Sequence, residues 1–254
     1  MHRPSPARPH SPRFAPSHRP GRRLATVVAL VALVAALLPS STEAITAGQI
    51  DDYQSGTTQS WVEGLSGALP PVPPAVVANA GPEGAGDFAL RLTAIGVAVG
   101  PGGKLVVNNN QPRWAGSYSA AGVNGIILDV RNPNAFPVTI RVGVDGPTPP
   151  AATGGRWITH GVVLPASSGW QTLTFALRPQ DLLPGDAGAT SAATTLANVA
   201  VIRIMHAPTA TWQGAVVTGQ LELDDVEALP EPSLALGMLA GTFLLRSLAS
   251  CRRR

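Results

Sequence analysis

Along the middle of the chain, apolar and polar residues alternate with a period of two, the period of a half-buried strand. Val138, Ile140, Val142 and Val144 interleave with Thr139, Arg141, Gly143 and Asp145. Further strands are expected over 90–92, 104–107, 126–131, 156–164, 170–177, 199–205 and 216–226. Turn-forming clusters separate them: Asn132-Pro133-Asn134, Asp145-Gly146-Pro147, Ser167-Ser168-Gly169 and Pro184-Gly185-Asp186. The spacing predicts one short helix, within 190–198, and an extended peripheral loop over Pro70–Pro74. Many short strands with Gly/Pro punctuation predict an all-β fold, a two-sheet antiparallel jelly-roll sandwich, as one domain over 48–228.

Both ends break the pattern. Residues 1–20 are rich in Pro, Arg, His and Ser and are expected to be disordered. Arg22 and Arg23 then lead into the apolar run Leu24–Leu38 and a small-residue stretch ending at Ala44. This is the order of a secretory signal peptide, a signal helix handled by the secretion translocase. Cleavage is expected after Ala44 or Ala47, so 1–47 is read as leader. The alternative, an uncleaved anchor, calls for about 20 apolar residues, more than this run offers.

At the other end, 229–254, Pro230-Glu231-Pro232 precedes the apolar stretch Leu234–Leu245, and the chain closes on Arg252, Arg253 and Arg254. The prolines stop a helix from running back into the body, and the arginines hold the cytoplasmic side of a membrane. The stretch rises ~18 Å as a helix, short of a ~30 Å hydrocarbon core. The three elements in this order resemble the PEP-CTERM sorting signal of exported Gram-negative bacterial proteins. That resemblance implies transient inner-membrane anchoring by a hydrophobic sorting helix and recognition by an exosortase-type membrane protease. Cleavage near Pro230-Glu231-Pro232 and passage to the cell surface or extracellular matrix would follow.

Placing the charges along the chain changes what the formal net charge of +3 means. Residues 45–229 hold eight Lys/Arg against thirteen Asp/Glu, and the excess positive charge sits in the two ends. An acidic body with scattered arginines lacks the electrostatic footprint of a nucleic-acid partner. The single cysteine, Cys251, lies in the tail, so the body has none and must hold together without disulfides.

Catalytic patterns are missing from the body. There is no Gly-x-Ser-x-Gly, no His-Glu-x-x-His and no Cys/His cluster, and Lys104 after Gly100-Pro101-Gly102-Gly103 is followed by Leu105 rather than Ser or Thr. His160 and His206 have no nucleophile at a recognisable spacing. No residue is assigned a catalytic role, and the protein is read as a non-enzyme.

The body opens Ile50-Asp51-Asp52-Tyr53-Gln54-Ser55-Gly56, continuing to Trp61, and closes Leu221-Glu222-Leu223-Asp224-Asp225-Val226, with Gly86-Asp87-Phe88-Ala89-Leu90 between them. These segments resemble the ends and an early strand of galactose-binding-like jelly rolls, the fold of many carbohydrate-binding modules. The chain departs from that pattern at Gln54, where the family often has Glu. The resemblance implies a structural Ca2+ near the first and last strands, and hard cations take carboxylate and carbonyl oxygens. Asp51, Asp52, Asp87, Asp224 and Asp225 are the metal candidates, Asp224 being the best single match. The other reading makes them exposed turn and edge residues that oppose strand aggregation. No further cofactor is expected.

The resemblance also directs attention to the aromatics, because sugar-binding modules stack pyranose rings on exposed rings. The segment Asn108–Trp114 is the densest mixture of polar and aromatic residues. Trp114, Trp212, Tyr118, Asn110 and Arg113 are the ligand-binding candidates. Trp114 and Trp212 are expected to be partly exposed, and Trp61, Trp157 and Trp170 to lie in the core or under loops. The function expected is that of an exported surface or matrix protein binding exopolysaccharide through a jelly-roll face. Two alternatives stand beside it. One is a purely structural or adhesive matrix protein. The other is a polysaccharide-acting enzyme, whose paired carboxylates would come from Asp129, Asp145 and Glu63.

Overall fold

The computed structural model describes residues 44–64, 70–98, 102–147, 155–186 and 190–231. Residues 1–43 of the expected leader and the tail from Pro232, with Arg252, Arg253 and Arg254, lie outside the described residues. Among those described, no helix is long and apolar enough to cross a membrane.

Twelve strands form: β1 (Ile50–Asp51), β2 (Ala75–Ala78), β3 (Phe88–Ile95), β4 (Val106–Asn109), β5 (Val123–Asn132), β6 (Val138–Asp145), β7 (Arg156–Thr159), β8 (Val162–Leu164), β9 (Ser168–Ala176), β10 (Leu182–Pro184), β11 (Val201–His206) and β12 (Thr218–Pro230). All their pairings are antiparallel. The first sheet runs β2-β3-β12-β5-β9, with β1 also on β12; the second runs β10-β7-β6-β11-β4, with β8 also on β6. The chain passes back and forth between the two sheets, giving a jelly-roll sandwich as the alternation predicted. The expected helix is a short one, α1 (Ala192–Leu196), capped by the Ser191 side chain accepting from the Thr194 N–H.

The main core lies between the sheets. Val138, Ile140, Val142 and Val144 of β6 are fully buried there, against Ile202 and Ile204 of β11 and, from the first sheet, Leu90, Ile126, Leu128, Leu221 and Leu223. The expected strand over 156–164 is broken at His160-Gly161 into β7 and β8, both pairing with β6. The last strand outruns its expected end at Val226. It continues through a bulge between Asp224 and Glu227 and pairs Pro230 with Val123. The Glu231 N–H still donates to the Gly122 carbonyl, so the first two residues of the Pro-Glu-Pro motif are part of the sheet edge.

At one end of the core the largest buried side chains, Trp61, Trp114, Tyr53 and Tyr118, collect around one carboxylate. Asp51 Oδ2 accepts from the Trp61 indole at 2.8 Å and the Trp114 indole at 2.6 Å. Arg113 Nη2 lies 2.8 Å from Oδ1 as an ion pair. Burial raises the Asp51 pKa, and the two indole bonds and Arg113 oppose the rise. The lock ties the short strand β1 to the η-turn Pro112–Trp114. Replacing Asp51 with Ala leaves two buried indole N–H groups unsatisfied, at an expected cost of about 3 kcal/mol. Thermal unfolding should then fall by roughly 6–12 °C. Trp114→Phe, which removes one donor, should lose less.

Candidate functional site

Two of the three aromatic ligand candidates, Trp114 and Tyr118, belong to that lock. Both are completely buried, and the Tyr118 hydroxyl donates to the Trp114 carbonyl at 3.0 Å. The expectation that Trp114 is partly exposed is therefore corrected: a buried carboxylate needs donors, and the indole supplies one. Arg113 keeps its guanidinium on Asp51 and on the Ile50 carbonyl. Asn110 faces solvent, accepting from Gln111 at 3.2 Å.

Trp212 is also buried, at the opposite surface of the second sheet, and its expected exposure is corrected too. The loop between β11 and β12 folds over the outer face of that sheet. There Trp212 packs with Val106, Ile158, Met205 and Ala207 in a second small core. Its ring occupies the space that a side chain at Gly143 would fill, with Cζ3 2.8 Å from an ideal Cβ. Two cations flank it, Arg203 at 4.1 Å and Arg156 at 5.3 Å from the ring centroid. Burial, with the nearby Arg156 charge, pulls the Arg203 pKa down to about 10. Arg156 is anchored by Asp145 at 3.0 Å and Asp186 at 2.7 Å. The candidate sugar-binding aromatics are thus dispersed over two buried sites rather than gathered on one open face.

The acidic candidates come together more closely. On one edge of β12, β3 pairs with Thr218–Leu223 and β1 pairs with Val226–Glu227. Between them a gap opens opposite Asp224 and Asp225, and the residues just after β1 and just before β3 converge on it. Asp225 there takes φ +46° and Tyr53 takes φ +56°, both in the left-handed region that side chains other than Asn and Gly avoid. A cleft of about 390 Å³ is lined by Asp52, Gln54, Glu83, Ala85, Gly86, Asp87 and Asp225. Four carboxylates line it, with no basic residue among its walls.

Asp224 lies beneath this cleft, 1% exposed. Its Oδ1 accepts from the Asp225 N–H at 2.8 Å. Its Oδ2 comes within 2.8 Å of the ideal Cβ position at Gly81, and Asp87 Oδ2 within 2.2 Å of the same point. Two carboxylates thus approach one another across a position where only glycine fits. Asp87 accepts from the Glu83 N–H at 2.8 Å and from the Gln54 amide. Burial, with the negative charges of Asp225, Asp87 and Asp129, pushes the Asp224 pKa from 3.8 up to about 8. Burial likewise raises Asp225, helped by its acidic neighbours. The Tyr53 hydroxyl is completely buried without a hydrogen-bond partner. Its pKa is pushed well up by burial and by Asp51, Asp224 and Asp225.

Asp51 is the metal candidate that stands apart, because its Oδ2 is taken up by the two indoles and its Oδ1 faces Arg113. Among the described residues, no three carboxylate, imidazole or thiolate groups stand close enough to hold a metal ion unaided. Two features here escaped the sequence reading. Gly81 is one of 27 glycines and carries no local pattern, and the Gln54 contact to Asp87 joins residues 33 apart.

With divalent cations chelated, the carboxyl of Asp224 sets a pH dependence. Its folded pKa lies above its unfolded one, so the folded state holds the extra proton between about pH 4 and pH 8. The stabilisation is present at the acid end of that window and is lost as pH rises through it. The melting temperature in chelator should be higher at pH 5 than at pH 8.5, and Asp224→Asn should flatten the difference.

No family model matches the chain, and no curated protein matches it. Solved structures do. A family 11 carbohydrate-binding module from Clostridium thermocellum, in complex with a β-1,3-1,4-mixed-linked tetrasaccharide, is similar at 15% identity and a TM-score of 0.43, over 73% of this chain and 96% of that one. The xylan-binding CBM22-2 domain from Paenibacillus barcinonensis is similar at 10% identity and a TM-score of 0.42, over 72% and 98%. An exo-β-agarase is similar at 11% identity and a TM-score of 0.49, over 74% of this chain but only 26% of its own.

Proposed function

We propose that the chain is an exported, non-enzymatic jelly-roll module, braced by a calcium ion, that works at the cell surface or in the extracellular matrix by contacting polysaccharide. The observation that carries this reading is the approach of Asp87 and Asp224 across Gly81, beside an orphaned buried hydroxyl. Such a cluster is costly while its charges are unbalanced. A hard cation relieves it, accepting carboxylate and neutral oxygens together. Asp87 and Asp224 would hold the ion, with the Gln54 amide oxygen and main-chain carbonyls completing the set. Glutamine at 54 would offer its neutral amide oxygen in place of the carboxylate common in the family it resembles, on turning the amide that now donates to Asp87. When bound, the ion supplies positive charge that fastens the residues after β1 and before β3 to the last strand. That brace does for a body without cysteines what a disulfide does in other exported domains.

The sorting reading rests on the sequence of the tail.

Millimolar calcium should raise the melting temperature of the wild-type protein at pH 7.5 by several degrees. Gly81→Ala and Asp224→Asn should remove that gain. A wild-type protein whose melting is indifferent to calcium, with no binding by titration calorimetry, contradicts the brace. Separately, replacing Pro230, Glu231 and Pro232 with alanines should leave the protein in the inner-membrane fraction. Normal release of that variant rules out the sorting role.

A further inference from the structure

The outer face of the second sheet is closed by Trp212 and its loop, which leaves the outer face of the first sheet. Three of the five tryptophans, Trp61, Trp114 and Trp212, are buried, and Trp157 packs against the main core. Trp170 of β9 is half-buried and is part of neither hydrophobic cluster. Of the two places expected for it, the core and a position under a loop, it takes neither fully: it lies outside the core, against the loop between β2 and β3. Its indole N–H donates to the Ala80 carbonyl at 3.2 Å, and Arg131 lies 5.5 Å from the ring centroid. The ring is therefore held in one orientation on a rigid strand, with part of its apolar surface left open to water.

A row of polar groups leads away from it across the sheet. Glu222 of β12, 1% exposed, accepts from Arg91 of β3 on Oε1, at 2.9 and 2.7 Å, and from Arg131 of β5 on Oε2. Each guanidinium spends its Nε and Nη2 groups on this one carboxylate. Among the described residues, the Nη1 group of neither arginine has an acceptor. Two residues along β5 from Arg131, Asp129 accepts from the Thr172 hydroxyl of β9. With strands ~4.8 Å apart, the row from Arg91 to Trp170 spans roughly 14 Å. Arg91 and Arg131 balance Glu222 and Asp129, so the strip is near neutral, and the body around it is acidic.

A fixed, half-open indole beside outward-facing donors and acceptors, on sheet rather than loop, matches an uncharged pyranose chain: the ring offers a stacking face and the flanking groups meet hydroxyls. A polyanion would be repelled by the acidic surroundings. We infer that Trp170, Arg131 and Arg91 form a contact strip for an uncharged polysaccharide lying across the outer face of the first sheet. This rests on the reading of the protein as a polysaccharide-contacting module and names the face, the residues and the class of polymer.

The test uses the protein as its host exports it, run by affinity electrophoresis through gels holding dextran, mixed-linkage β-glucan, xylan or polygalacturonate. Retardation is expected in at least one neutral polymer and not in polygalacturonate. Trp170→Ala should weaken it roughly tenfold, the loss of one stacking contact. Arg91→Gln should also weaken it, and it leaves Arg131 to satisfy Glu222, so the fold is kept. Arg91→Lys, which keeps the charge and loses the fork, should fall between. Arg178→Gln, at an exposed pair with Asp181, should change nothing. Retardation by a neutral polymer that survives Trp170→Ala and Arg91→Gln in folded protein overturns the strip and leaves the module reading standing. Retardation by polygalacturonate alone overturns the polymer class. No retardation by any of the four overturns both the strip and the polysaccharide reading.

Discussion

Strand β12 sets Glu222 and Asp224 two residues apart on one face, in the middle of a five-strand row, and neither can be buried there as a bare anion. Much of the surface chemistry follows from how each is dealt with. Glu222 takes two arginines, one from each neighbouring strand. Those arginines are thereby held upright on the sheet, and one of them is placed by the Trp170 ring. Asp224 pairs with no cation among the described residues and receives a single backbone N–H. It is shielded instead by the loop before β3, which passes so close that position 81 tolerates no side chain. Two similar problems on one strand thus have opposite solutions: Glu222 is neutralised by cations, and Asp224 is shielded and has its pKa raised.

The same strand explains why the ends of the body meet at the acidic cleft. The β12 edge that carries β3 also carries β1, and the two strands do not abut. The bulge at Asp224–Glu227 falls opposite the gap and turns Asp225 toward it. Any ligand drawing those groups together would couple the first strand of the body to the last. Asp51, one residue before Asp52 on the cleft wall, is fixed from behind by Trp61 and Trp114. Lock and cleft are therefore successive parts of one connection, and loosening Asp51 must loosen the cleft as well.

The architecture was largely legible in the sequence, because a period of two along β5, β6, β9, β11 and β12 reports directly which side chains face inward. Three of the shortest strands were not: β1, β2 and β10 are too short for alternation to register, and they are defined by their partners. The acidic cluster was legible as composition at the two ends of the body. What separates Asp51 from the other acids is its pair of tryptophan partners, one of them 63 residues away. The tryptophans were misjudged for a related reason. Gly, Gln and Thr beside Trp212 suggest exposure, yet the loop that carries it lies on a sheet whose outer face has Gly143 as a socket. Trp170 abuts an apolar alternation and so reads as core. Its place, however, is on the outward side of β9, whose inward positions are Leu173 and Phe175.

Neighbour polarity is therefore a poor guide to exposure in a sandwich, where each sheet has two faces and loops can cover the outer one. The register is the better guide. Leu173 pairs with Leu128, and both point inward, so Thr172 and Asp129 must point outward. Counting two further residues along β9 reaches Trp170 on the same side. Applied to the second sheet, the same count puts Arg203, Gly143 and Ile158 outward, and it is the loop after β11 that buries them. The two outer faces differ because the first is crossed near Asp224 by a loop that leaves the Arg91–Trp170 row half-open, whereas the second is filled by a tryptophan. A jelly roll with one outer face filled by its own side chains keeps its open polar groups on the other, and here that face is the one whose charges β12 had to balance.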